Sequence, residues 1–446
     1  MAASILEERK SSIILSGAKK GVSCEKESVS GSVSQRACVF CGARVVLNPI
    51  TDACHIVHGP IGCASYTWDI RGSLTSGGEA YRNSYSTDLR ETDIVFGGEK
   101  KLKAAIDELM ESEQKPPKLI FVYATCIVGV IGDDVEAVCR ESQKKWGIRV
   151  IPVKAPGFSG TKSQGYKLAC DAIMDYISPF ARQPASFGIN ILGDYNLAGE
   201  MWIVKGYFEK IGIPVISTIT GDASSESLIK APSASLNVVQ CAGSASYLAQ
   251  RMEAEMGVPW LKASFYGAQD ISSSIVRVAD ALKDAAICEK ARAFTAYESE
   301  RARSVIDKYK PRFEGKKAAI FVGGGFKAIS LIRQFKEFGM KIVLVGTQTG
   351  KRDEYDVIES IADDGAVVLD DANPAELEQF MAEKGADILV GGVKERPLAY
   401  KLGVAFLDHN HERKHPLAGY IGIENFASEV NLSMNSPVWH HLGMHC

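Results

Sequence analysis

The cysteines are the residues of this chain whose type and spacing best suit chemistry with a metal. Cys63 follows the stretch His58 to Gly62, where glycines free the backbone and Pro60 fixes one dihedral before the turn. A thiolate held there beside small neighbours suits a bulky inorganic ligand close to the main chain. A buried free cysteine is the simpler alternative, because free cysteine is among the most buried residue types. The rest of the sequence decides between the two.

Two other cysteines can join Cys63 in a cluster site. Cys38, Cys63 and Cys126 supply three thiolates, one fewer than the four that usually hold a cubane iron–sulfur cluster. Their spacing is too wide for a zinc ribbon or a ferredoxin motif, so the pattern alone is a weak signal. A partner subunit could supply the fourth ligand and place the cluster at an interface. Cys41, three residues after Cys38, could instead complete the set within the chain.

Polar or reactive residues directly follow several predicted strands. Cys126, Cys241, the loop at Gly323 and His409 each come after a short apolar segment that predicts a strand. In parallel sheets, ligands bind outside the carboxyl ends of the strands. The shared placement therefore predicts a ligand site in a cleft between domains.

The loop Gly323-Gly324-Gly325 opens a predicted helix after one of these strands. It lacks the dinucleotide-binding fingerprint, since Ala328 stands where the last glycine would be. Lys327 adds positive charge, so the helix start suits an anionic cluster or a carboxylate, although a plain tight turn fits equally well. A histidine-rich group follows another strand, and a solvated polar loop would explain it as well: His409, Asn410, His411 and His415.

These residues need sheets to position them, and short apolar strands alternating with amphipathic helices predict parallel sheets covered on both faces. One predicted strand covers Asp93 to Phe96, and a long helical connector covers Ile271 to Tyr309. A length of 446 residues suggests about three domains. The predicted segments are a poorly ordered arm with at most one short helix (1–35), a first domain (36–182), a second domain carrying Cys241 (183–312), a third domain with the glycine-rich loop (313–419), and a C-terminal segment that packs back on the first domain (420–446).

The composition is that of an ordinary soluble globular protein, with 46% hydrophobic and 24% charged residues. A net charge of −3 gives no sign of a nucleic-acid or membrane partner through bulk electrostatics. No apolar run approaches the roughly 20 residues needed to span a bilayer, and residues 1–35 show no signal-peptide pattern. The 11 scattered cysteines do not form a disulfide framework. We therefore expect a cytoplasmic protein with reduced thiols or cluster ligands.

Several stretches together resemble the nitrogenase molybdenum–iron protein α-subunit superfamily. The resemblance covers residues 36 to 440, and its motifs are specific in combination. Within the superfamily, the chain is most similar to the subunits of the scaffold on which the iron–molybdenum cofactor matures. The matching stretches are His58–Cys63, Trp68–Gly72, Ser86–Leu89, Phe96–Lys101, Gly132–Asp134, Leu236–Cys241, Ser264–Gly267 and Pro437–Trp439.

The resemblance implies three Rossmann-like domains around a metal-cluster cleft. It implies that Cys38, Cys63 and Cys126 hold a 4Fe–4S cluster shared with a homologous β-type subunit. It also implies that Cys241 holds an iron–sulfur precursor of the iron–molybdenum cofactor by one terminal iron. The other residues expected to line that cavity are Arg71, Gly324, Gly325 and Lys327.

Two departures distinguish the chain from catalytic α-subunits. Those subunits carry a histidine after the loop formed here by residues 157–165, where this chain has Tyr166. They also carry arginine at the Lys327 position, and the two cations are not interchangeable at a fixed anion contact. The second cofactor ligand stays open, because His409 can be aligned with the catalytic histidine while Asn410 matches the asparagine of the scaffold members.

These features lead us to expect a cofactor-assembly scaffold that pairs with a β-type partner as an α2β2 heterotetramer. The scaffold would accept the precursor, have molybdenum and homocitrate inserted with help from the nitrogenase iron protein, and pass the cofactor to apo-nitrogenase. A catalytic reductase of the same superfamily is the alternative, since the missing histidine argues against dinitrogen reduction but not against every reduction. The absent fingerprint argues against a third possibility, an ordinary nucleotide-binding α/β enzyme with incidental cysteines.

Overall fold

The computed structural model describes residues 7–17, 21–24, 37–67, 73–76, 84–112, 116–411 and 413–441. The alternating strands and helices form three sheets, with four, four and six strands. Within the described residues every strand pairing is parallel except that of one edge strand near the N-terminus. Strand β4 (Leu119–Ala124) is buried along its whole length, as expected for a sheet that helices cover on both faces.

The first sheet has the spatial order β3-β2-β4-β5 and consists of β2 (Ala53–His58), β3 (Ser84–Ser86), β4 and β5 (Arg149–Lys154). Its helices are α1 (Val39–Leu47), α2 (Ile61–Thr67), α3 (Glu91–Phe96), α4 (Glu99–Ser112), α5 (Cys126–Ile131), α6 (Val135–Trp146) and α7 (Lys162–Ile177). Helices α1 and α7 meet at a glycine. A Cβ at Gly42 would lie 2.1 Å from the Lys162 carbonyl oxygen, so glycine is needed for the two backbones to approach this closely. This contact fixes α1, which begins directly after Cys38.

The strand predicted at Asp93 to Phe96 is wrong, because these residues belong to helix α3. The Asp93 carboxylate accepts a hydrogen bond from the backbone N–H of Arg90 at 2.9 Å, which caps the helix. Its three apolar residues are exposed rather than buried. A short apolar run does not distinguish a core strand from an exposed helical turn by composition alone.

The second sheet has the order β7-β6-β8-β9 and consists of β6 (Ser186–Leu192), β7 (Val215–Ile219), β8 (Ala234–Val239) and β9 (Trp260–Lys262). Its helices are α8 (Glu200–Lys210), α9 (Ser225–Lys230), α10 (Ala242–Met256), α11 (Ala268–Leu282) and α12 (Ala285–Phe313). The single long connector predicted here is two helices. Lys283 interrupts it with a φ of +57°, and Asp284 then caps α12 by accepting a hydrogen bond from the Ile287 N–H at 3.1 Å.

The third sheet has the order β1-β12-β11-β10-β13-β14 and consists of β1 (Ile13–Leu15), β10 (Lys317–Val322), β11 (Lys341–Thr347), β12 (Val367–Asp370), β13 (Ile388–Gly391) and β14 (Ala405–Asp408). Its helices are α13 (Gly325–Glu337), α14 (Arg352–Ile361), α15 (Pro374–Lys384) and α16 (Arg396–Lys401), and the chain ends in α17 (Gly419–Met434) and α18 (Val438–His441). None of the helices in the described ranges is long and apolar enough to cross a membrane.

The described part of the N-terminal segment, residues 7–17 and 21–24, is held more firmly than the poorly ordered or extended arm, with at most one short helix, that is expected for residues 1–35. Residues Glu7–Ser12 form a 3-10 helix, and β1 pairs antiparallel with β12 at the edge of the third sheet. Arg9 anchors the segment through a buried ion pair, in which Arg9 Nε lies 3.0 Å from Glu376 Oε1. The Arg9 guanidinium also donates a hydrogen bond to the backbone carbonyl oxygen of Asp370. This ion pair fixes the N-terminal segment to the third domain, a contact that the polar composition of residues 1–35 does not predict.

The C-terminal segment also differs from expectation, since α17 packs on the second and third domains rather than on the first. Its Phe426 ring lies edge-on to Phe335 of α13, with centroids 5.0 Å apart. The Tyr420 backbone N–H donates to the Tyr207 hydroxyl of α8 at 2.9 Å. The apolar face of α17 therefore completes a core that spans these two domains.

Candidate cluster-binding sites

Three cysteines predicted to act together lie at the starts of three helices in the first domain. Cys38 immediately precedes α1, Cys63 is in the first turn of α2, and Cys126 is the first residue of α5. Helices α2 and α5 follow the adjacent parallel strands β2 and β4. Parallel pairing therefore brings Cys63 and Cys126 to one edge of the sheet.

Gly157 lies against two of these cysteines. Its backbone N–H donates a hydrogen bond to Cys126 Sγ at 3.0 Å. A Cβ at Gly157 would lie 3.0 Å from Cys126 Sγ and 3.4 Å from Cys38 Sγ. Cys63 is close enough that burial first, and then the Cys126 and Cys38 sulfurs, raise the pKa of its thiol. The structure thus brings Cys38 and Cys126 together at Gly157, with Cys63 near enough to both for their charges to affect it.

This donor set fits an iron–sulfur cluster. The three cysteines are half-buried, and thiolates are the ligands that such clusters take. Within the part of the chain that the structure describes, no three His, Cys, Asp or Glu side chains converge on a position for a single metal ion. The thiols beside Gly157 are of the type that binds such a cluster, and the chain supplies three of the usual four.

Cys41 is a further thiol beside this set. It is buried on α1, and its Sγ lies 3.7 Å from Cys38 Sγ. Hydrogen bonding by the Cys41 thiol lowers the pKa of Cys38 to about 6, and the same contact raises the pKa of Cys41. Cys41 therefore stabilises a thiolate at Cys38.

Large apolar side chains surround the cysteines on the protein surface. Ile61 and Tyr66 lie on the same helix as Cys63, and both are 57% exposed. Val130 of α5 is 74% exposed, and Phe158, next to Gly157, is 65% exposed. We call these four residues the apolar rim. A rim of this kind is typical of a protein–protein contact.

His58 holds the turn before Cys63 and is fully buried. Its Nδ1 lies 3.0 Å from Thr87 Oγ1, and its Nε2 lies 3.0 Å from Asp133 Oδ2. Asp133 also accepts a hydrogen bond from the Gly98 N–H at 3.0 Å. The histidine therefore ties the Cys63 turn to the loop after α5, and burial lowers its pKa.

Cys241 lies in a second site, a cleft between the three sheets that encloses about 750 Å³ together with the solvent at its mouth. Tyr166 reaches the cleft from the first domain, and Lys327 and Asn410 reach it from the third. Cys241 itself is half-buried and immediately precedes α10. Gly193, with a φ of +90°, lies against it, because a Cβ there would be 2.8 Å from Cys241 Cβ.

The lining of the cleft is charged but largely paired within the chain. Arg413 Nη1 lies 2.8 Å from Glu200 Oε1, and both side chains are buried. Gln240 Nε2 donates to Asp194 Oδ2 at 2.9 Å. Burial, followed by the nearby Glu200, raises the pKa of Asp194 to about 6. Since Glu200 neutralises Arg413, Lys327 is the cation with which this wall of the cleft would meet an anionic occupant.

The comparisons with known proteins agree with this arrangement. The family model described as nitrogenase component 1 type oxidoreductase matches residues 38–435. The chain belongs to the nitrogenase component 1 family. A solved structure of nitrogenase Cp1 at pH 6.5 has a TM-score of 0.90 and 30% identity, covering 97% of this chain and 96% of that one. The predicted fold class, three parallel-sheet domains around a cleft, is confirmed.

Two relatives within the nitrogenase component 1 family match the chain over nearly its whole length. One is the nitrogenase iron–molybdenum cofactor biosynthesis protein NifE of Clostridium pasteurianum, 60% identical over 98% of this chain and 97% of its own. The other is the protein of the same name from Methanosarcina barkeri, 49% identical over 97% of this chain and 96% of its own. The predicted resemblance is confirmed.

The two candidates for the second cofactor ligand of this family occupy different positions. His409 is fully buried behind the lining, edge-on to Tyr266 with ring centroids 5.1 Å apart. Neither of its ring nitrogens has a hydrogen-bond partner among the described residues. Burial and the cations Lys327 and Arg413 lower its pKa well below the usual value. Asn410, in contrast, lines the cleft, and its backbone N–H donates to Asp408 Oδ1 at 2.9 Å.

The remaining predicted cleft residues are only partly brought together. Lys327 lines the cleft, and its Nζ donates to the His409 carbonyl oxygen at 3.1 Å. Gly324 also lines it, whereas Gly325 lies behind it, where a Cβ would be 2.7 Å from Glu354 Cβ. Arg71, with the rest of its motif, lies outside the described residues.

Sequence reasoning missed several residues of the cleft. Asp194 and Gly193 directly follow β6, so the rule that found Cys241 after β8 would have found them too. Arg413 and Glu200 had no such signal, because the pair joins residues more than 200 positions apart. The sequence likewise places Gly157 in a loop without indicating that it lies against Cys38 and Cys126.

Proposed function

We propose that the chain is the α-type scaffold subunit for biosynthesis of the nitrogenase iron–molybdenum cofactor. It would hold an iron–sulfur precursor in the cleft during maturation and release the product to apo-nitrogenase. The names of the relatives that match the whole chain support this role. The observation that best supports the proposal is the set of possible ligands in the cleft. Among the described residues, Cys241 is the one thiol that lines the cleft, and the imidazole of His409 is buried behind Tyr266. A cargo held at one thiol can leave again, as a scaffold requires.

The cargo would be bound by Cys241 and attracted by the Lys327 ammonium group on the wall of the cleft. Asn410 faces the cleft where a second ligand would stand, and an amide is a weaker ligand for iron than an imidazole. Gly324 at the start of α13 leaves room there, and Arg71 and Gly325 are assigned to the same cavity by resemblance.

We also propose that Cys38, Cys63 and Cys126 hold a resident 4Fe–4S cluster. The cradle at Gly157 fits this group, and the thiols supply three of its four ligands. The fourth would come from a NifN-like β-type partner in an α2β2 heterotetramer, covering the apolar rim around the site. When bound, the cluster supplies one-electron transfer. The chain's own thiols and the Gly157 N–H orient it at the subunit interface.

Two further partners follow from the same proposal. The nitrogenase iron protein would deliver electrons and assist the insertion of molybdenum and homocitrate, and apo-nitrogenase would accept the finished cofactor. The alternative, a catalytic nitrogenase-like reductase, is not favoured. Tyr166 lines the cleft at the position where catalytic subunits carry a histidine, so the proton donor expected in a reductase is absent there.

The proposal is tested with the complex purified anoxically together with its β-type partner. Cys241→Ala should abolish retention of the precursor while leaving the resident cluster, as measured by iron and acid-labile sulfide content and by electron paramagnetic resonance. The matched control is Cys288→Ala, a half-buried cysteine outside the cleft. A Cys241→Ala complex with its full iron content would contradict the assignment, and rapid steady-state reduction of acetylene by the unaltered complex would favour the reductase instead.

A further inference from the structure

Cys41 has no part in the proposed scaffold function, yet it touches one of the cluster ligands. Its Sγ lies 3.7 Å from Cys38 Sγ, so the two thiols are in direct contact. A disulfide needs the sulfurs at about 2.05 Å, which is a short movement from this starting point. Cys38 precedes α1 with an extended backbone (φ −74°, ψ 172°) and is not locked into the helical geometry of Cys41. The pair can therefore close without unfolding α1.

We propose that Cys38 and Cys41 form a reversible disulfide in the chain that lacks the resident cluster, and that this disulfide blocks loading of the cluster. The proposal rests on the assignment of Cys38 as a cluster ligand. Cys38 borders the Gly157 cradle, where a Cβ would lie 3.4 Å from its Sγ. A sulfur already bonded to Cys41 cannot also serve as a thiolate ligand.

Cys38 and Cys41 differ in solvent exposure, and this difference determines which thiol reacts first with the oxidant. Cys38 is half-buried and can meet a small molecule, whereas Cys41 is only 2% exposed. With a glutathione-type disulfide as oxidant, the Cys38 thiolate attacks one sulfur, and one thiol leaves. The Cys41 thiolate then attacks the Cys38 sulfur of the mixed disulfide and releases the second thiol. The protein loses two protons and two electrons, and one oxidant molecule gains them to become two thiols.

The sequence allows a direct measurement. Arg36 and Arg44 flank the pair, so trypsin releases residues 37–44, which contain these two cysteines and no other. The cluster-free chain is incubated anoxically with oxidised glutathione, and its remaining free thiols are alkylated. The chain is then digested with trypsin, and the peptide masses are measured by mass spectrometry. We expect this peptide to be lighter by two hydrogen atoms and to resist alkylation until a dithiol is added. The peptide that carries Cys288, half-buried on α12, should remain alkylatable and serves as the control.

A second variant separates the pair from Cys38 alone. Cys41→Ser cannot complete the exchange, so its Cys38 should stop at the mixed disulfide with glutathione. In the reduced state, Cys41→Ser should take up as much iron as the unaltered chain, because the serine hydroxyl can still donate a hydrogen bond to the Cys38 thiolate while the resolving thiol is gone. With the β-type partner present, the oxidised unaltered chain should form less than about one tenth of the resident cluster that the reduced chain forms, as measured by electron paramagnetic resonance, with recovery after dithiol treatment.

Three results would overturn the proposal. The first is a 37–44 peptide that stays fully alkylatable after exposure to the oxidant. The second is equal formation of the resident cluster by the oxidised and reduced chains, which would deny that the disulfide blocks loading. The third is a reduced Cys41→Ser chain that takes up no iron, which would make Cys41 a cluster ligand. The peptide mass does not depend on any cluster, so failure of the scaffold proposal and failure of this one can be told apart.

Discussion

The cysteine site of the first domain and the cleft at Cys241 differ in how complete they are within one chain. The cysteine site has three half-buried thiols at the surface and an exposed apolar rim. The cleft is enclosed by all three domains, and its buried charges are paired internally, as Arg413 is with Glu200. Under the proposed function, the first site would be completed by another chain, whereas the second would bind its occupant within this chain.

This difference indicates different uses for the two sites. A group shared between subunits cannot leave without separating them, so the cysteine site suits a resident cluster. In the proposed function, the cleft would hold its cargo by a single thiol, Cys241, among the described residues, so the cargo would be free of covalent bonds on its other sides. The same chain can therefore keep one cluster and pass another on, and each site should respond to its own mutations.

The largest expected effect is the independent loss of the two iron-containing groups. Cys63→Ala should remove the resident cluster and weaken association with the partner, because two thiols of the chain cannot replace three. It should leave the anchor at Cys241 chemically intact. Iron content and electron paramagnetic resonance of the purified complex measure both sites at once. Cys241→Ala gives the reciprocal pattern, and a variant that empties both sites equally would show that they are not independent.

The second contrast concerns the stability of the isolated chain. Arg413→Met should cost about 3–5 kcal/mol, because it leaves the buried Glu200 carboxylate without its cation. Phe158→Ser, on the exposed rim, should change the free energy of unfolding by less than about 0.5 kcal/mol while weakening partner binding. Denaturant titration and a binding assay measure the two effects.

The double variant Arg413→Met, Glu200→Gln is the control for that contrast. It removes the uncompensated charge and should recover part of the lost stability. An unchanged loss in the double variant would mean that Arg413 acts through packing rather than through its charge. A large loss of stability in Phe158→Ser would mean that the rim belongs to the core of the chain.

The positions of Cys126 and Cys241 were predictable because both follow strands, and strand ends collect ligands in parallel sheets. Which of His409 and Asn410 lines the cleft was not predictable, because consecutive residues after β14 point in different directions and His409 packs against Tyr266. The helix at Asp93 was missed because its exposed apolar residues look like a core strand in the sequence. Local sequence patterns do not predict contacts between residues far apart in the chain, such as the ion pair between Arg9 and Glu376.

The smallest expected effect is a pH dependence that belongs to the cleft alone. Asp194 has a pKa of about 6 in the folded chain, against about 3.9 when unfolded. Below about pH 4 both states are protonated, and the full stability is present. As the pH rises to 6, the unfolded chain loses this proton while the folded chain keeps it, so about 2–3 kcal/mol of stability is lost. Unfolding free energies measured at pH 4 and pH 7 give this difference.

Asp194→Asn removes the titrating group and keeps an oxygen for the Asn196 N–H, which Asp194 Oδ1 accepts at 2.6 Å. Gln240 can turn its amide so that its oxygen accepts from the amide group introduced at position 194, since that oxygen has no partner among the described residues. The variant should therefore lose less stability than the unaltered chain between pH 4 and pH 7. Cys63→Ala should keep the unaltered slope, because the cysteine site does not contact Asp194. An equal slope in Asp194→Asn would mean that burial does not raise the pKa of Asp194 in the folded chain.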